Sequence, residues 1–209
     1  EVDETPFPGE EPEALVLRLA AAKAGIVAAV NPGRWIIAAD TTVAVDHHVL
    51  NKPVDENDAV RMLMLIQGRR HEVHTGLCLM RDAEAHAFVD TAEVFLRGLS
   101  ERQARWYART GEPMDKAGAY AAQGIAALFI QRIEGSFATV MGFPVERFGD
   151  LKAQNLLDGV AATAHPFPLR NVMRDDVATP SLDRDEVLAA APEIESHMFA
   201  VPPVLGEPA

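Results

Sequence analysis

The segment at residues 36–53, IIAADTTVAVDHHVLNKP, constrains the fold of this chain more than any other stretch. Its apolar and partly β-branched residues predict a buried strand rather than a helix. Three polar residues, Asp40, Thr41 and Thr42, interrupt the apolar run. Burial of an ionised carboxylate is costly unless a metal ion, a cation or water in a cleft compensates its charge. Asp40 is therefore expected either in an ion pair or at a functional site.

Lys52 lies twelve residues after Asp40 and directly before Pro53. Proline keeps the preceding residue extended, so the ammonium group is expected on a defined arm rather than on a helix. A carboxylate and a lysine presented in this way suit a metal-bound, multiply charged anion such as a polyphosphate. A simple ion pair between Asp40 and Lys52 at a strand end explains the same residues, and both interpretations stand at this point.

The composition indicates one soluble α/β domain with an appendage. A chain of 209 residues can bury a full core, and no stretch approaches the ~20 unbroken apolar residues of a membrane span. The formal net charge of −12 argues against a nucleic-acid partner, which would require a basic face. Cys78 is the only cysteine, so we expect a core thiol, no disulfide and a cytoplasmic location.

Half of the net charge lies near the C-terminus. Residues 156–209 contain nine acidic residues against three arginines, a net charge of −6, together with seven of the fourteen prolines. This bias predicts an acidic, proline-rich extension at residues 158–209 that is poorly ordered, after a folded domain at residues 1–157.

Periodicity and capping signals predict the secondary structure of that domain. The expected elements are a helix at 13–30 with Leu15, Leu19, Ala22 and Ile26 inward, the central strand at 34–46, a helix capped by Asp55 and running to Ile66, a half-buried strand at 70–80 paired in a hairpin with a strand at 88–96, a helix opened by Ser100 and Gln103 and running to Arg109, an apolar strand at 125–133 and a last helix from Pro144 to Leu157.

Four histidines are candidates for metal ligands. The neighbours His47 and His48 fall in a turn, where adjacent side chains rarely converge on one ion, so we expect both to face solvent. His71 and His74 fall in a predicted strand. A ligand role stays open for them, but we favour both as hydrogen-bonded residues of the strand.

The segment at residues 112–124, EPMDKAGAYAAQG, is rich in small residues and carries several polar ones. Glycine and alanine let the backbone approach a ligand closely, whereas charged and amide groups make specific contacts. This pattern favours a binding role for Glu112, Asp115, Lys116 and Gln123.

Four blocks of the sequence, in order and in register, resemble the Maf nucleotide pyrophosphatases over about residues 2–150. The blocks are AADTTVAVDHHVLNKP at 38–53, HEVHTG at 71–76, TGEPMDKAGAYAAQG at 110–124 and IEGSFATVMGFP at 133–144. The resemblance implies an α/β fold of the inosine-triphosphatase-like type, with an elongated mixed β-sheet flanked by helices and a nucleotide cleft between two lobes. It also implies hydrolysis of nucleoside triphosphates to monophosphate and pyrophosphate with a divalent cation, usually Mg²⁺, and a homodimer.

The resemblance assigns roles in the reaction by position. Asp40 looks like the family's proton acceptor, and Glu4, in VDET, matches an acidic residue of the same site. Glu4 and Asp40 together are the expected metal ligands. Lys52 and Lys116 match lysines of the family, and we expect both to stabilise phosphate oxygens.

The resemblance also assigns base selection. Thr41 and Gln123 match the positions that help select the base, and glutamine offers both a donor and an acceptor for the edge of uracil or thymine. Threonine directly after the aspartate is similar to the branch acting on dTTP and UTP, which implies a role in cleaning the nucleotide pool.

One feature of the family has no match in this chain. Members normally open with an S-x-S-P-R-R loop, about two dozen residues before the position of Glu1, and its arginines bind the triphosphate. The chain begins at Glu1 without methionine or a leader, so it is expected to be a fragment, a processed form or an inactive relative. The alternative to a pyrophosphatase is a non-catalytic nucleotide-binding relative that affects cell division through septum formation.

Overall fold

The computed structural model describes residues 2–153 and the short segments 194–195 and 198–199. In chain order the larger part contains α1 (Pro12–Ala29), β1 (Ile36–Val45), β2 (His48–Leu50), α2 (Glu56–Ile66), β3 (Arg70–Arg81), β4 (Glu84–Leu96), α3 (Glu101–Ala108), three 3₁₀ turns (Glu112–Asp115, Ala117–Ala119 and Ile125–Phe129), β5 (Ile130–Glu134), α4 (Phe137–Val140) and α5 (Val145–Ala153). This is the expected α/β class.

Five strands form one sheet in the order β2-β1-β3-β4-β5. The resemblance implied a mixed sheet, but all four pairings within this sheet are antiparallel. Tight turns explain two of them, since only two residues separate β1 from β2 and β3 from β4, whereas a parallel pair requires a longer crossover. The turn residues Asp46, His47 and Asp82 adopt positive φ values.

The pairing leaves one edge of β1 open. β2 pairs only with Val43, Ala44 and Val45, whereas β3 pairs with β1 from Ile36 to Ala44. Among the described residues, the first half of β1 therefore has a strand on one side only. The sequence predicted a buried strand throughout, and the open edge explains why the structure buries only its last four residues, 42–45.

Helix α1 packs against β1 and β3 on one face of the sheet. Gly76 makes this approach possible, because a Cβ there would collide with the backbone of Val16. The buried side chains are Pro12, Leu15, Val16, Leu19, Ala20, Ala24 and Ala28. The prediction that Ile26 faces inward is wrong, since Ile26 is 51 % exposed; small alanines form the contact face instead.

The other face of the sheet carries the main core. Side chains of β1, β3 and β4 pack there against α2, α3 and the 3₁₀ turns, with Val43, Leu63, Val73, Val94, Tyr107 and Phe129 among them. Because helices cover both faces, β3 is buried almost continuously, and the prediction of a half-buried strand is wrong. The predicted caps are confirmed: Asp55 accepts a hydrogen bond from the amide of Asp58, and Ser100 and Gln103 form a capping box.

The prediction of a strand over the whole of 125–133 is also wrong. Residues Ile125–Phe129 form a 3₁₀ turn, and β5 begins only at Ile130. Ala126 and Phe129 bury their side chains in the main core, a spacing of three residues that suits a 3₁₀ turn rather than an alternating strand.

The contacts of the chain divide it into Glu1–Val160 and Ala161–Ala209. In the second unit, Ile194–Glu195 and Met198–Phe199 pair as two short antiparallel strands. The predicted end of the last helix at Leu157 and the rest of the predicted extension at 158–209 lie outside the described residues. Within the described part of the chain, no helix has the length and apolar character needed to cross a membrane.

Candidate active site

Asp40 and Thr41 lie on the open edge of β1, just before β2 begins to pair. Successive side chains of a strand point to opposite faces, so Asp40 faces α1 and Thr41 faces the 3₁₀ turns. Two adjoining cavities, of about 390 Å³ on the α1 side and about 260 Å³ on the other, flank this edge. Both are lined by Asp40, Thr41, Lys52 and Ala117. They form a cleft that wraps around the strand edge, hereafter the edge cleft.

Three charged groups meet at the larger cavity. Lys23 Nζ lies 2.5 Å from Oδ1 of Asp40 and 2.6 Å from Oε1 of Glu4. The Asp40 side chain is 13 % exposed and the Glu4 side chain 48 %. One lysine on α1 thus joins a largely buried carboxylate on β1 to a more exposed one on the N-terminal arm.

Burial and charge set the protonation behaviour of this cluster. Burial raises the pKa of Asp40, and the nearby Glu4 charge acts in the same direction, although Lys23 and Lys52 oppose both. The hydrogen bond from Lys23 lowers the pKa of Glu4. Burial alone would lower the pKa of Lys23, but its bonds to Asp40 and Glu4 outweigh that effect and raise it. Asp40 is therefore the carboxylate of the cluster that is most easily protonated.

Lys52 and Lys116 approach the edge cleft from two loops. Lys52 Nζ lies 4.0 Å from Oε2 of Glu4, and its side chain is 61 % exposed. Lys116 Nζ lies 2.7 Å from Oδ2 of Asp115, and both residues line the smaller cavity. The structure thus places two further ammonium groups at the cleft that holds Asp40.

Gln123 lines the smaller cavity with Thr41 and the buried Tyr120. A clamp formed by Tyr107 and Glu112 holds its segment. Glu112 accepts hydrogen bonds from the Tyr107 hydroxyl at 2.7 Å and from the amides of Ile125 and Ala126 at 3.0 and 3.3 Å. The Tyr107 oxygen accepts a bond of 3.2 Å from the amide of Ala121. Both ends of residues 121–126 are thereby fixed around Gln123.

The residues present fit a hard divalent cation. The Glu4 and Asp40 carboxylates converge on the Lys23 ammonium, which brings their oxygens close to each other. No group of three or more His, Cys, Asp or Glu side chains suited to a metal occurs within residues 2–153 and the two short C-terminal strands. Mg²⁺ is commonly held by only one or two carboxylates together with substrate phosphates and water, so this pair of oxygen donors suffices.

Lys23 is the member of the site that the sequence analysis missed. The alternative interpretation of Asp40 paired it with Lys52, but Lys23 makes the ion pair. A signal was present: Lys23 is the only charged residue between Arg18 and Arg34. A lone lysine in an otherwise uncharged stretch of helix indicates a specific partner.

The four histidines lie outside the edge cleft. His47 is 85 % exposed, and His48 is also exposed. His71 Nε2 lies 2.8 Å from the Tyr120 hydroxyl, and His74 Nδ1 lies 2.9 Å from the Thr91 hydroxyl. Two expectations are thus confirmed: the first pair is exposed, and both members of the second pair are hydrogen-bonded residues of a strand.

The chain is similar to curated proteins named dTTP/UTP pyrophosphatase. That of Myxococcus xanthus is 47 % identical over 145 residues, which cover 69 % of this chain and 74 % of the relative. That of Desulfotalea psychrophila is 43 % identical over 146 residues, 69 % of this chain and 75 % of the relative. That of Geobacter metallireducens is 44 % identical over 161 residues, 75 % of this chain and 83 % of the relative.

Two family models match the chain. The model described as Glu-tRNAGln amidotransferase C subunit matches residues 145–201. The model described as Maf-like protein matches residues 1–154, which include every residue of the edge cleft named above. The chain belongs to the Maf-like protein family.

Proposed function

We propose that this chain is a nucleoside triphosphate pyrophosphatase that converts dTTP, UTP or related modified pyrimidine nucleotides to the monophosphate and pyrophosphate, and so cleans the nucleotide pool. The curated relatives carry the name dTTP/UTP pyrophosphatase, which supports the enzyme over a non-catalytic relative acting in septum formation. The observation that carries the proposal is Asp40, largely buried among Lys23, Glu4 and Lys52 at the edge cleft.

Asp40 is the proposed general base. A water attacking the α-phosphorus must lose a proton, and a carboxylate with a raised pKa accepts it more readily at neutral pH than an ordinary one. The hydrogen bond from Lys23 holds Oδ1 of Asp40 in place, which leaves the other carboxylate oxygen to receive the proton. The ion pair thus orients the base and keeps it ionised.

The three ammonium groups bind the triphosphate. Lys23 and Lys52 line the larger cavity, and Lys116 lines the smaller one. Positive groups fixed at the cleft stabilise the charge that develops on the leaving pyrophosphate, more strongly in a partly dry site than in water. We assign the phosphates to the side of the cleft near Lys23 and Lys52.

Glu4 and Asp40 are the proposed ligands of a Mg²⁺ ion, which they would hold together with phosphate oxygens of the substrate. When bound, the ion supplies charge neutralisation at the phosphates. The Lys23 ammonium shares the same carboxylates. Lys23 therefore limits the negative charge of the pair while no cation or substrate is bound.

Thr41 and Gln123 are the proposed base-selecting residues. Both line the smaller cavity beside Tyr120, Ala121 and Ala122. A pocket that combines apolar side chains with placed polar groups suits a pyrimidine ring. The amide of Gln123 can both donate and accept, as the edge of uracil or thymine requires.

The test is release of pyrophosphate from a panel of nucleoside triphosphates with Mg²⁺. We expect dTTP and UTP to be hydrolysed, and Asp40→Asn to lower kcat by a factor of about 10² to 10⁴ with folding intact. Asp46→Asn is the matched control. Asp46 is exposed in the turn that directly follows β1, and it lies outside the edge cleft. Near-normal hydrolysis by Asp40→Asn would remove Asp40 from the chemistry, and no hydrolysis of any triphosphate would refute the enzyme.

A cytoplasmic location and a homodimer are also proposed. Cys78 is buried and free, which supports a reducing compartment. The family resemblance supports the dimer, and sedimentation of the full chain tests it: a single species of 22.7 kDa would contradict it.

A second function is proposed for the C-terminal segment. Residues 145–201 match the family model of an amidotransferase C subunit, so we propose that they bind the other subunits of a Glu-tRNAGln amidotransferase. The full chain should co-elute with those subunits in size exclusion, and an excess of an authentic C subunit should displace it. Separate elution of the full chain would refute the proposal.

A further inference from the structure

Thr75 lies behind Thr41, away from the edge cleft. The two residues are direct partners across β1 and β3, and their hydroxyl oxygens lie 2.8 Å apart. Thr75 is fully buried, whereas Thr41 is partly exposed and lines both cavities. Any restraint on the Thr41 hydroxyl therefore comes from a residue that cannot itself touch a nucleotide in the cleft.

A backbone carbonyl fixes the direction of these hydrogen bonds. The Thr75 oxygen lies 2.8 Å from the carbonyl oxygen of Thr139. A carbonyl can only accept, so Thr75 donates its single proton to Thr139. In its contact with Thr41, Thr75 must then accept, and Thr41 must donate.

The turn after β5 holds that carbonyl in place. Thr139 is buried in the short helix α4, and its hydroxyl donates to the carboxylate of Asp90. Its carbonyl oxygen also accepts a bond of 3.0 Å from the amide of Gly142. With two donors the carbonyl has no free lone pair. Donation therefore runs in one direction only, from Thr41 to Thr75 and from Thr75 to the Thr139 carbonyl.

We infer that Thr75 is a positioning residue that makes the Thr41 hydroxyl an acceptor, and never a donor, toward the nucleotide. Because the Thr41 proton points to Thr75, only oxygen lone pairs face the edge cleft. That arrangement selects a hydrogen-bond donor on the substrate. The imide N3–H of uracil and thymine is such a donor, whereas N3 of cytosine is an acceptor.

A hydroxyl of the sugar is the other donor that dTTP or UTP offers. Either donor can bond the lone pairs of the Thr41 hydroxyl. The structure does not distinguish the base from the sugar, so the experiment below does. The inference rests on the proposed function, since it assumes a nucleotide in the edge cleft. Binding and turnover are therefore measured separately.

The experiment compares the affinities of three ligands for the full chain. They are dTTP, N3-methyl-dTTP and 3′-deoxy-dTTP, each in the α,β-imido form that resists cleavage. Wild type is compared with Thr75→Val, which removes the hydroxyl at nearly constant shape, and with Thr75→Ser, which keeps it. Hydrolysis of ordinary dTTP by wild type reports separately on the proposed function.

We expect loss of the relevant donor to weaken binding to wild type about tenfold or more, because it leaves the Thr41 oxygen unpaired. Thr75→Val should reduce this penalty several-fold, since the freed Thr41 hydroxyl is no longer preorganised. Thr75→Ser should retain it. A penalty on the N3-methyl ligand assigns the donor to the base, and a penalty on the 3′-deoxy ligand assigns it to the sugar; both support the inference.

Equal penalties in wild type and Thr75→Val for both ligands would overturn the inference. Should Thr75→Val fail to fold, Thr41→Val replaces it, because it removes the acceptor itself and must abolish the penalty. A persistent penalty in that variant would also overturn the inference. Absence of dTTP hydrolysis alongside a Thr75-dependent binding penalty would refute the enzyme and leave the role of Thr75 supported.

Discussion

The ammonium group of Lys23, on α1, donates a hydrogen bond of 2.5 Å to Asp40, on β1. The same group lies 2.6 Å from Glu4. Burial raises the pKa of Asp40, and the hydrogen bond and positive charge of Lys23 oppose that increase. The lysine thus links the packing of a helix on a sheet to the protonation of the proposed general base.

Replacement of Lys23 by glutamine should move the acidic limb of the pH profile of kcat/KM to higher pH. The sign follows from the charges: without the ammonium, burial and Glu4 raise the pKa of Asp40 further, so a smaller fraction is ionised at a given pH. Lys23→Arg is the control, because it keeps the positive charge. An acidic limb that does not move in Lys23→Gln would show that Asp40 is not the titrating base.

Replacement of Tyr107 by phenylalanine should loosen the segment that carries Gln123. The Tyr107 hydroxyl bonds both Glu112 and the amide of Ala121, and its loss should cost about 1–3 kcal/mol of unfolding free energy. KM for dTTP should rise more than kcat falls, since Gln123 is proposed to bind the base. Trp106→Phe, at an exposed position on the same helix, is the control and should change neither the unfolding free energy nor KM. If Tyr107→Phe lowers the stability but leaves KM for dTTP unchanged, the clamp stabilises the fold without contributing to substrate binding.

Replacement of Gly76 by alanine should destabilise the fold by about 1–3 kcal/mol, because the new Cβ would press on the backbone of Val16. Gly25→Ala, on α1 itself, is the matched control. No atom lies within 4 Å of a Cβ at Gly25, and alanine favours a helix over glycine by about 0.5–1 kcal/mol. Urea denaturation should therefore show opposite signs for the two variants. Equal stability of Gly76→Ala and wild type would contradict the close packing of α1 on β3.

Stability should fall between pH about 6.5 and about 4 because of His71. Burial, aided by the charge of Arg69, lowers the pKa of His71 from 6.5 to about 4. In this interval the unfolded state binds a proton that the folded state does not, so the unfolding free energy decreases as the pH falls, by about 3 kcal/mol in total. His71→Phe should be less stable at neutral pH, because Tyr120 loses its partner, but its stability should depend less on pH. Urea titration at several pH values measures this dependence, with the exposed His48→Asn as the control. If the pH dependence of stability in His71→Phe equals that of wild type, His71 is not its cause.

Local signals predicted most of the elements. The Asp55 cap and the Ser100 capping box are contacts between residues three apart, so a short window of sequence contains all of their physics. The error at Ile125–Phe129 has the opposite origin. An apolar run has no strict period, and a short one fits a strand or a turn equally well until its neighbours decide which side chains are buried.

The sequence by itself determined that an acid interrupts the central strand, and the resemblance of the blocks that contain Asp40, Thr41, Lys52 and Gln123 to the Maf family implied a nucleotide site. Only the tertiary structure decided which cation meets Asp40, because Lys23 reaches it through the packing of α1 across β3 at Gly76. It also decided the direction of the Thr41 hydroxyl, through a carbonyl 64 residues beyond Thr75. Local preferences act over a few residues, whereas these contacts depend on how distant segments are brought together, which no short stretch of the chain specifies.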